Sequence, residues 1–438
     1  MWMRFTMICI GSTGDVRPYV LLGRELKQRG HDVAICAFAD FAPLAQKNGL
    51  RFYPLSGDAH EFIKNIMKPG TEGVAYMRQV LKVFRVILDP FLSDLQAACA
   101  DADAVIATFF GNVIQSLAEK RNIPFIRTNY FMMDPNRLAP ISSAPGLTVG
   151  PAWNLLSYRL AYLLVSLVEK YYLSGWRRAQ GMPRRRLECR PRAFNHGHPV
   201  PTLYAMSDHL VPRPAEWNEH IYMTGFWTEA EQPAFTPSPE LAAFLARDPQ
   251  PVYIGFGSMT SGDMDHTLDL VVQAVRQSGV RAVLANGWGG GQTVRDENVF
   301  TIQGFVPHSW LFDHVCAVVH HGGAGTTAAG LRAGKPTLAI PFGGDQPFWA
   351  LRVRRMGLGP EPILREKLTV DNLAAALKEL TTGPGYRAAA EALGAYMRAE
   401  NGVQNAADII EAEIALFRKG ETDIPARAQV RPPETGVS

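Results

Sequence analysis

Apolar positions along the chain fall into two alternating rhythms, short continuous runs and longer stretches of helical period. Phe5–Ile10 (FTMICI) is a continuous run and predicts a buried strand. A helical pattern from about Val16 to Arg29 follows and stops at Gly30. HDVAICAF is the next strand, then a helix to Asn48 with Gly49 as its C-cap, then RFYPL as a third strand. ADAVIATFF and IPFIRTNYF read as further strands around a helix from Val113 to Arg121. Strands that alternate with helices predict βαβ units and a parallel sheet covered on both faces.

The pattern then restarts. After the proline-bearing stretch GFWTEAEQPAFTPSP (Gly225–Pro239) come PVYIGFGSM, RAVLANGW, VFTIQGF, CAVVHHGG and PTLAIPF, each a strand running into a loop. Helical spacing resumes after Leu368 and runs to about Arg418. We expect an N-terminal domain over 1–225, a linker over 226–240 and a C-terminal domain over 241–395. A C-terminal helix over 396–419 and a disordered polar tail over 420–438 complete the division. The fold class is α/β, with two doubly wound Rossmann-like domains whose strand C-termini face a central cleft.

Composition narrows the choice. At 438 residues, 47% apolar and 19% charged, the chain is globular and large enough for two cores. Its net charge of +3 offers no excess of cations to neutralise phosphates, which argues against a nucleic-acid partner. The five cysteines are widely spaced without a CxxC pair, so neither a zinc knuckle nor a disulfide framework is indicated. The first residues lack a signal-peptide pattern, and Leu160–Val168 (LAYLLVSLV) is about half the length of a membrane span. A cytoplasmic location is the expectation.

The richest segment is CAVVHHGGAGTTAAGLRAGKPTLAIPFGGDQPFW, Cys316–Trp349. A strand ending at His320 meets Gly322, Gly323 and Gly325, and a helix begins near Thr326. Backbone N–H groups and the positive end of the helix dipole then face the loop and suit a phosphate without a metal. His320 adds a hydrogen bond or a positive charge. Asp345 and Gln346 close the next strand-end loop, a carboxylate and a carboxamide suited to vicinal hydroxyls.

HHGGAGT followed by PFGGDQ resembles the donor signature of the UDP-glycosyltransferase superfamily, inverting enzymes of the GT-B architecture. The look is nearest to the sterol 3β-glucosyltransferase and bacterial antibiotic glycosyltransferase branch. The resemblance spans most of the chain and is weakest between Asp134 and Val200. It implies His320, Gly322, Gly323, Gly325 and Thr326 on the diphosphate and Asp345 and Gln346 on the sugar. QGFVPHSWLF implies Phe305 on a nucleobase face and the Val306 backbone at its edge. FGSM implies Ser258 near the phosphates, and NGWGG brings Trp288, with Gly287, to the cleft. Asp15, in IGSTGDVRPYV, stands where plant members carry His and several bacterial members carry Asp. It is the candidate general base, and its other role would be to cap the first helix. The implied partners are a UDP-sugar donor and an apolar hydroxylated acceptor, with no cofactor and no metal.

Other signals are weaker. Asp101-Ala102-Asp103 and Asp263-Met264-Asp265 are DxD strings of the kind that arises by chance. His196, His198, His209 and His220 lack tight ligand spacing. The apolar stretch Trp153–Tyr172 serves as acceptor-pocket lining, a membrane-facing lip or one buried helix, and the basic run Arg177–Arg192 is a solvated loop or a peripheral membrane contact. The rivals to a transferase are a nucleotide-sugar epimerase, a Rossmann dehydrogenase and a non-catalytic sugar-nucleotide binder. GSTG lacks the G-x-G-x-x-G fingerprint of the dehydrogenase.

Overall fold

The computed structural model describes residues 2–59, 61, 90–108, 111–141, 150–191, 194–195, 197–229, 235–257, 264–285 and 296–420. Two parallel sheets dominate it. The first contains β1 (Arg4–Ile8), β2 (Asp32–Phe38), β3 (Arg51–Leu55), β4 (Ala104–Ala107), β5 (Phe125–Asn129), β6 (Thr202–Tyr204) and β7 (Ile221–Met223). Its order is β3-β2-β1-β4-β5-β6-β7. The second contains β8 (Val252–Gly255), β9 (Ala282–Ala285), β10 (Val299–Ile302), β11 (Ala317–His320) and β12 (Thr337–Ala339), in the order β10-β9-β8-β11-β12. In both, the order reverses beside the first strand, between β1 and β4 and between β8 and β11. A crevice opens at the strand C-termini there, because the flanking loops diverge to opposite faces.

Continuous apolar runs made these strands legible. Phe5, Met7, Ile35 and Ile106 are wholly buried in one sheet, and Val252, Val283 and Val319 in the other. Such strands have no solvent face because helices cover both sides. Helix α1 (Thr13–Gln28) lies on the first sheet with Tyr19, Leu22 and Leu26 buried. Helices α2 (Ala42–Lys47) and α3 (Gly111–Arg121) follow later strands, and α4 (Gly150–Ala179) precedes β6. In the second half come α5 (Pro239–Leu245), α6 (Met264–Ser278), α7 (Ala324–Arg332), α8 (Gln346–Arg355) and α9 (Val370–Thr382).

The C-terminal region departs from a single helix over 396–419. Helix α10 (Tyr386–Ala399) ends, the chain turns extended at Glu400, and α11 (Gly402–Lys419) begins. Helix α10 belongs to the second half, where Ala390, Leu393 and Met397 pack with Leu331 and Trp349. Helix α11 returns to the first half, and Val403, Ala406, Ile410 and Ile414 join the core formed by β1 and α1. Arg29 pairs with Asp408 and Glu411, and His220 bonds Glu413 at 3.2 Å. His220, in the turn just before β7, is therefore a buried anchor for α11.

The stretch expected as a solvent linker starts inside the protein. Phe226 packs on Trp349, and Trp227 lies edge-on to Tyr19 and Tyr130, with its indole N–H on Thr224. The tail beyond Gly420 lies outside the described residues.

Candidate active site

Asp15 stands on the loop that leaves β1 at the first switch point. The N-cap of α1 is Ser12, and Asp15 is the third helical residue of a capping box. Its Oδ2 accepts hydrogen bonds from the Ser12 backbone N–H at 2.6 Å and the Ser12 hydroxyl at 2.9 Å. The expected capping role thus exists, but Asp15 plays the reciprocal half of it. Both bonds fall on Oδ2. Gly11 has φ +148 beneath the carboxylate, and a Cβ there would overlap Oδ2. Only glycine lets the carboxylate fold back over its own loop. Burial pushes the Asp15 carboxyl above its ordinary value, with the Ser12 bonds opposing the rise. The Tyr130 hydroxyl donates to the Asp15 carbonyl at 3.0 Å and ties the loop to the end of β5.

The glycine loop occupies the matching switch point of the second sheet. Helix α7 starts at Ala324, two residues before the sequence-based expectation, with Gly323 as N-cap and no side chain capping it. The N–H groups of Gly325 and Thr326 lie in its first turn, where no intrahelical acceptor reaches them. Thr327 instead returns its hydroxyl to the Gly323 carbonyl at 2.9 Å. Gly322 adopts φ +87, so the loop turns through a left-handed residue.

His320 is wholly buried at the end of β11. Its Nδ1 accepts the Gly322 N–H at 2.8 Å, which puts the ring proton on Nε2. That Nε2 is buried without a partner among the described residues. Burial, then the neighbouring His321 and His308, hold the imidazole neutral. His320 thus supplies an N–H donor, and the positive charge considered for it is absent at neutral pH. His321 and His308 are likewise depressed, each to about 4, chiefly by burial. His308 bonds Tyr253 at 3.1 Å behind the loop.

Asp345 accepts the indole N–H of Trp349, one helical turn on, at 2.9 Å. The Ala324 backbone also hydrogen-bonds its carboxylate, which joins the two loops. Its pKa is pushed up to about 6, first by burial and then by the charge of Asp15. Those two carboxylates belong to different halves of the chain and share one electrostatic neighbourhood. Gln346 is buried, and its carboxamide oxygen accepts Phe342 N–H at 2.7 Å and Gly343 N–H at 3.2 Å. That oxygen shapes the turn.

Phe305 is 72% exposed, and the guanidinium of Arg17 lies 5.9 Å from its ring. Arg17 also pairs with Glu229 at 3.1 Å. Val306 is half-buried against the core around Leu311 and Phe312. Ser258, Gly287 and Trp288 lie outside the described residues, as does Asp263. Asp101 and Asp103 are engaged by Arg4 and Arg51 at the N-terminal ends of the strands, opposite the crevice. Asp134 is buried, accepting the Tyr204 hydroxyl at 2.7 Å beside Arg127. His209, discounted on spacing, meets Asp208 and Glu400 with ligand atoms within 4.8 Å, at the turn between α10 and α11.

Sequence reasoning missed Ser12, Tyr130 and Trp349, which hold the candidate residues in place. Ser12 carried a readable signal in the S-x-x-D spacing of a capping box, and Trp349 in the four-residue offset from Asp345. Tyr130 carried none, since its bond to Asp15 spans 115 positions.

Two Rossmann-like domains with their switch points turned to one crevice define the GT-B architecture. Residues 5–140 match the glycosyltransferase family 28 N-terminal domain, and residues 290–413 match the erythromycin biosynthesis protein CIII-like C-terminal domain. The sterol 3-beta-glucosyltransferase UGT80B1 of Arabidopsis thaliana is 32% identical, over 93% of this chain and 67% of its own length. The sterol 3-beta-glucosyltransferase of Pichia angusta is 33% identical, over 95% of this chain and 34% of its own. The chain spans about a third of the length of that relative and its fungal counterparts. Among solved structures, the calicheamicin glycosyltransferase CalG4 superimposes with a TM-score of 0.70 at 18% identity, covering 96% of this chain and 99% of its own. The glycotransferase of kitacinnamycin gives 0.69 at 20%, covering 94% and 100%. The chain belongs to the UDP-glycosyltransferase family.

Proposed function

We propose that the chain is an inverting glycosyltransferase, moving glucose from UDP-glucose to a hydroxyl of an apolar small molecule such as a sterol or polyketide. The observation that carries the reading is the approach of the two halves at the crevice: Arg17, on the first turns of α1 with Asp15, lies 5.9 Å from the Phe305 ring, and the charge of Asp15 reaches Asp345 beside the glycine loop. The diphosphate rests on the first turn of α7 and on the Nε2–H of His320, and this assignment gives no role to a metal. Asp345 accepts hydrogen bonds from sugar hydroxyls, and Phe305 stacks on the base.

Oδ1 of Asp15 takes the proton as the acceptor oxygen attacks the anomeric carbon from the face opposite the diphosphate. The bond to the diphosphate breaks in the same step, its electron pair leaves with UDP, and the loop amides stabilise the charge that develops there. The raised pKa of Asp15, caused by burial, makes it a better base than a solvated aspartate.

Incubation with UDP-glucose and a panel of sterols, polyketides and lipid alcohols, read by mass shift, tests the assignment. A glycoside of inverted configuration is the expected product. Sugar release without any acceptor-linked product overturns it. Donor affinity provides a second test. Asp345 accepts hydroxyl protons only as the carboxylate, so UDP-glucose binding weakens as pH falls through about 6. Calorimetry on wild type and Asp345→Asn reads this directly. The variant should bind more weakly near neutrality and lose the acid limb, and an identical limb in both assigns it elsewhere.

A further inference from the structure

Helix α4 is inside out. Along its 30 residues the positions that face the protein are largely polar, with Asn154, Tyr158, Ser166, Glu169, Leu173 and Arg177 buried. Those groups are satisfied. Tyr158 accepts from Asn136 at 2.7 Å, Arg177 bonds Glu119 at 3.1 Å, and Arg185 pairs with Glu169 at 3.5 Å. The opposite face carries Trp153, Leu156, Leu160, Leu164, Leu167 and Tyr171, all exposed. At 100° per residue these six fall within one stripe, roughly opposite the buried set. Leu160 is 52% exposed and Tyr171 78%. A soluble helix hides its apolar stripe, so an outward one marks a contact surface.

Charge selects the occupant. Between residues 150 and 190 stand eight basic residues and two acidic ones. Glu169 is buried against Arg185, whereas Arg159, Lys170, Arg178, Arg184, Arg186 and Arg190 are exposed. A second copy of the chain would bring like charges together, while an anionic bilayer neutralises them. No helix among the described residues is long and apolar enough to cross a membrane, so the geometry is that of a helix lying in the interface plane. At about 45 Å long, α4 offers a line of contact rather than a point.

We propose that the outward face of α4, with the basic segment that follows it, docks this protein on a bilayer containing anionic lipid. The same helix adjoins the candidate site. Tyr158 and Tyr162 donate to the carbonyls of Met132 and Met133, on the loop from Tyr130 that holds Asp15. An apolar acceptor dissolved in the bilayer then has a short path to the crevice. The docking itself is independent of the transfer chemistry, because binding is read without donor or acceptor.

Vesicle co-sedimentation of the full chain tests the proposal. Vesicles of phosphatidylcholine with phosphatidylserine should retain the protein at least tenfold better than phosphatidylcholine alone, and added salt should erode the difference. Leu160→Gln/Leu164→Gln/Leu167→Gln should lower retention at least tenfold with an unchanged circular dichroism melt. Arg184→Glu/Arg186→Glu provides an independent variant with the same expected direction. Equal retention of wild type and both variants overturns the proposal. So does absence of retention alongside a solution dimer that the leucine variant disperses, which would give the face to a second copy.

Discussion

Asp15→Asn should lower kcat by about a hundredfold to ten-thousandfold, the usual range for loss of a general base, with donor affinity unchanged. Asparagine is the informative replacement because Asp15 has two jobs. Its Oδ2 closes the capping box on Ser12, and an amide oxygen in the same place still accepts those bonds. The start of α1 therefore survives, and what disappears is the capacity to take a proton. Alanine would also remove the cap, at a cost of about 1 kcal/mol, and mix a structural loss with the chemical one. Titration calorimetry with UDP-glucose and steady-state kinetics on the same sample separate the two quantities. A variant that retains wild-type kcat removes Asp15 from proton transfer. The acid limb of wild-type kcat/KM should lie above the ordinary aspartate range, because burial raises the carboxyl and protonation abolishes the base.

Gly325→Val should weaken donor binding by at least about a hundredfold, near 2.7 kcal/mol, while thermal stability stays close to wild type. Gly325 is exposed, has no positive φ, and a Cβ there would meet nothing within 4 Å. The fold accepts a side chain at this position, but an anion approaching the first turn of α7 would not. Gly323 makes the contrast, since a Cβ there would overlap the His321 ring and confuse binding with folding. Differential scanning fluorimetry with and without UDP-glucose reads both numbers. Full donor-induced stabilisation of the valine variant places the diphosphate elsewhere.

Much of this architecture was legible because buried parallel strands must be continuously apolar. FTMICI, AVIA and CAVVH read as strands without reference to any partner, and the glycines after His320 marked the turn behind β11. Asp15 and Asp345 were visible because each follows a strand directly, and such positions converge in a doubly wound sheet. What stayed hidden depends on contacts remote in sequence. The neutrality of His320 follows from burial beside His321 and His308, and nothing in HHGG announces it. The engagement of Gln346 with its own loop needs the turn geometry of Phe342 and Gly343. Apolar spacing in α4 gave a helix but not its orientation, because the buried face is satisfied by Glu119, Asn136 and Arg185 from elsewhere in the chain. The break at Glu400 was missed because both flanking segments have good helical period.

The path of α11 bears on how the molecule is made. Its isoleucines complete a core whose other walls, β1 and α1, lie far earlier in the sequence. That half therefore waits, with an apolar strip uncovered, until α11 has been made. Maturation of that half is tied to the synthesis of α11, so chains that stop short of it keep a sticky groove that quality-control machinery can grip.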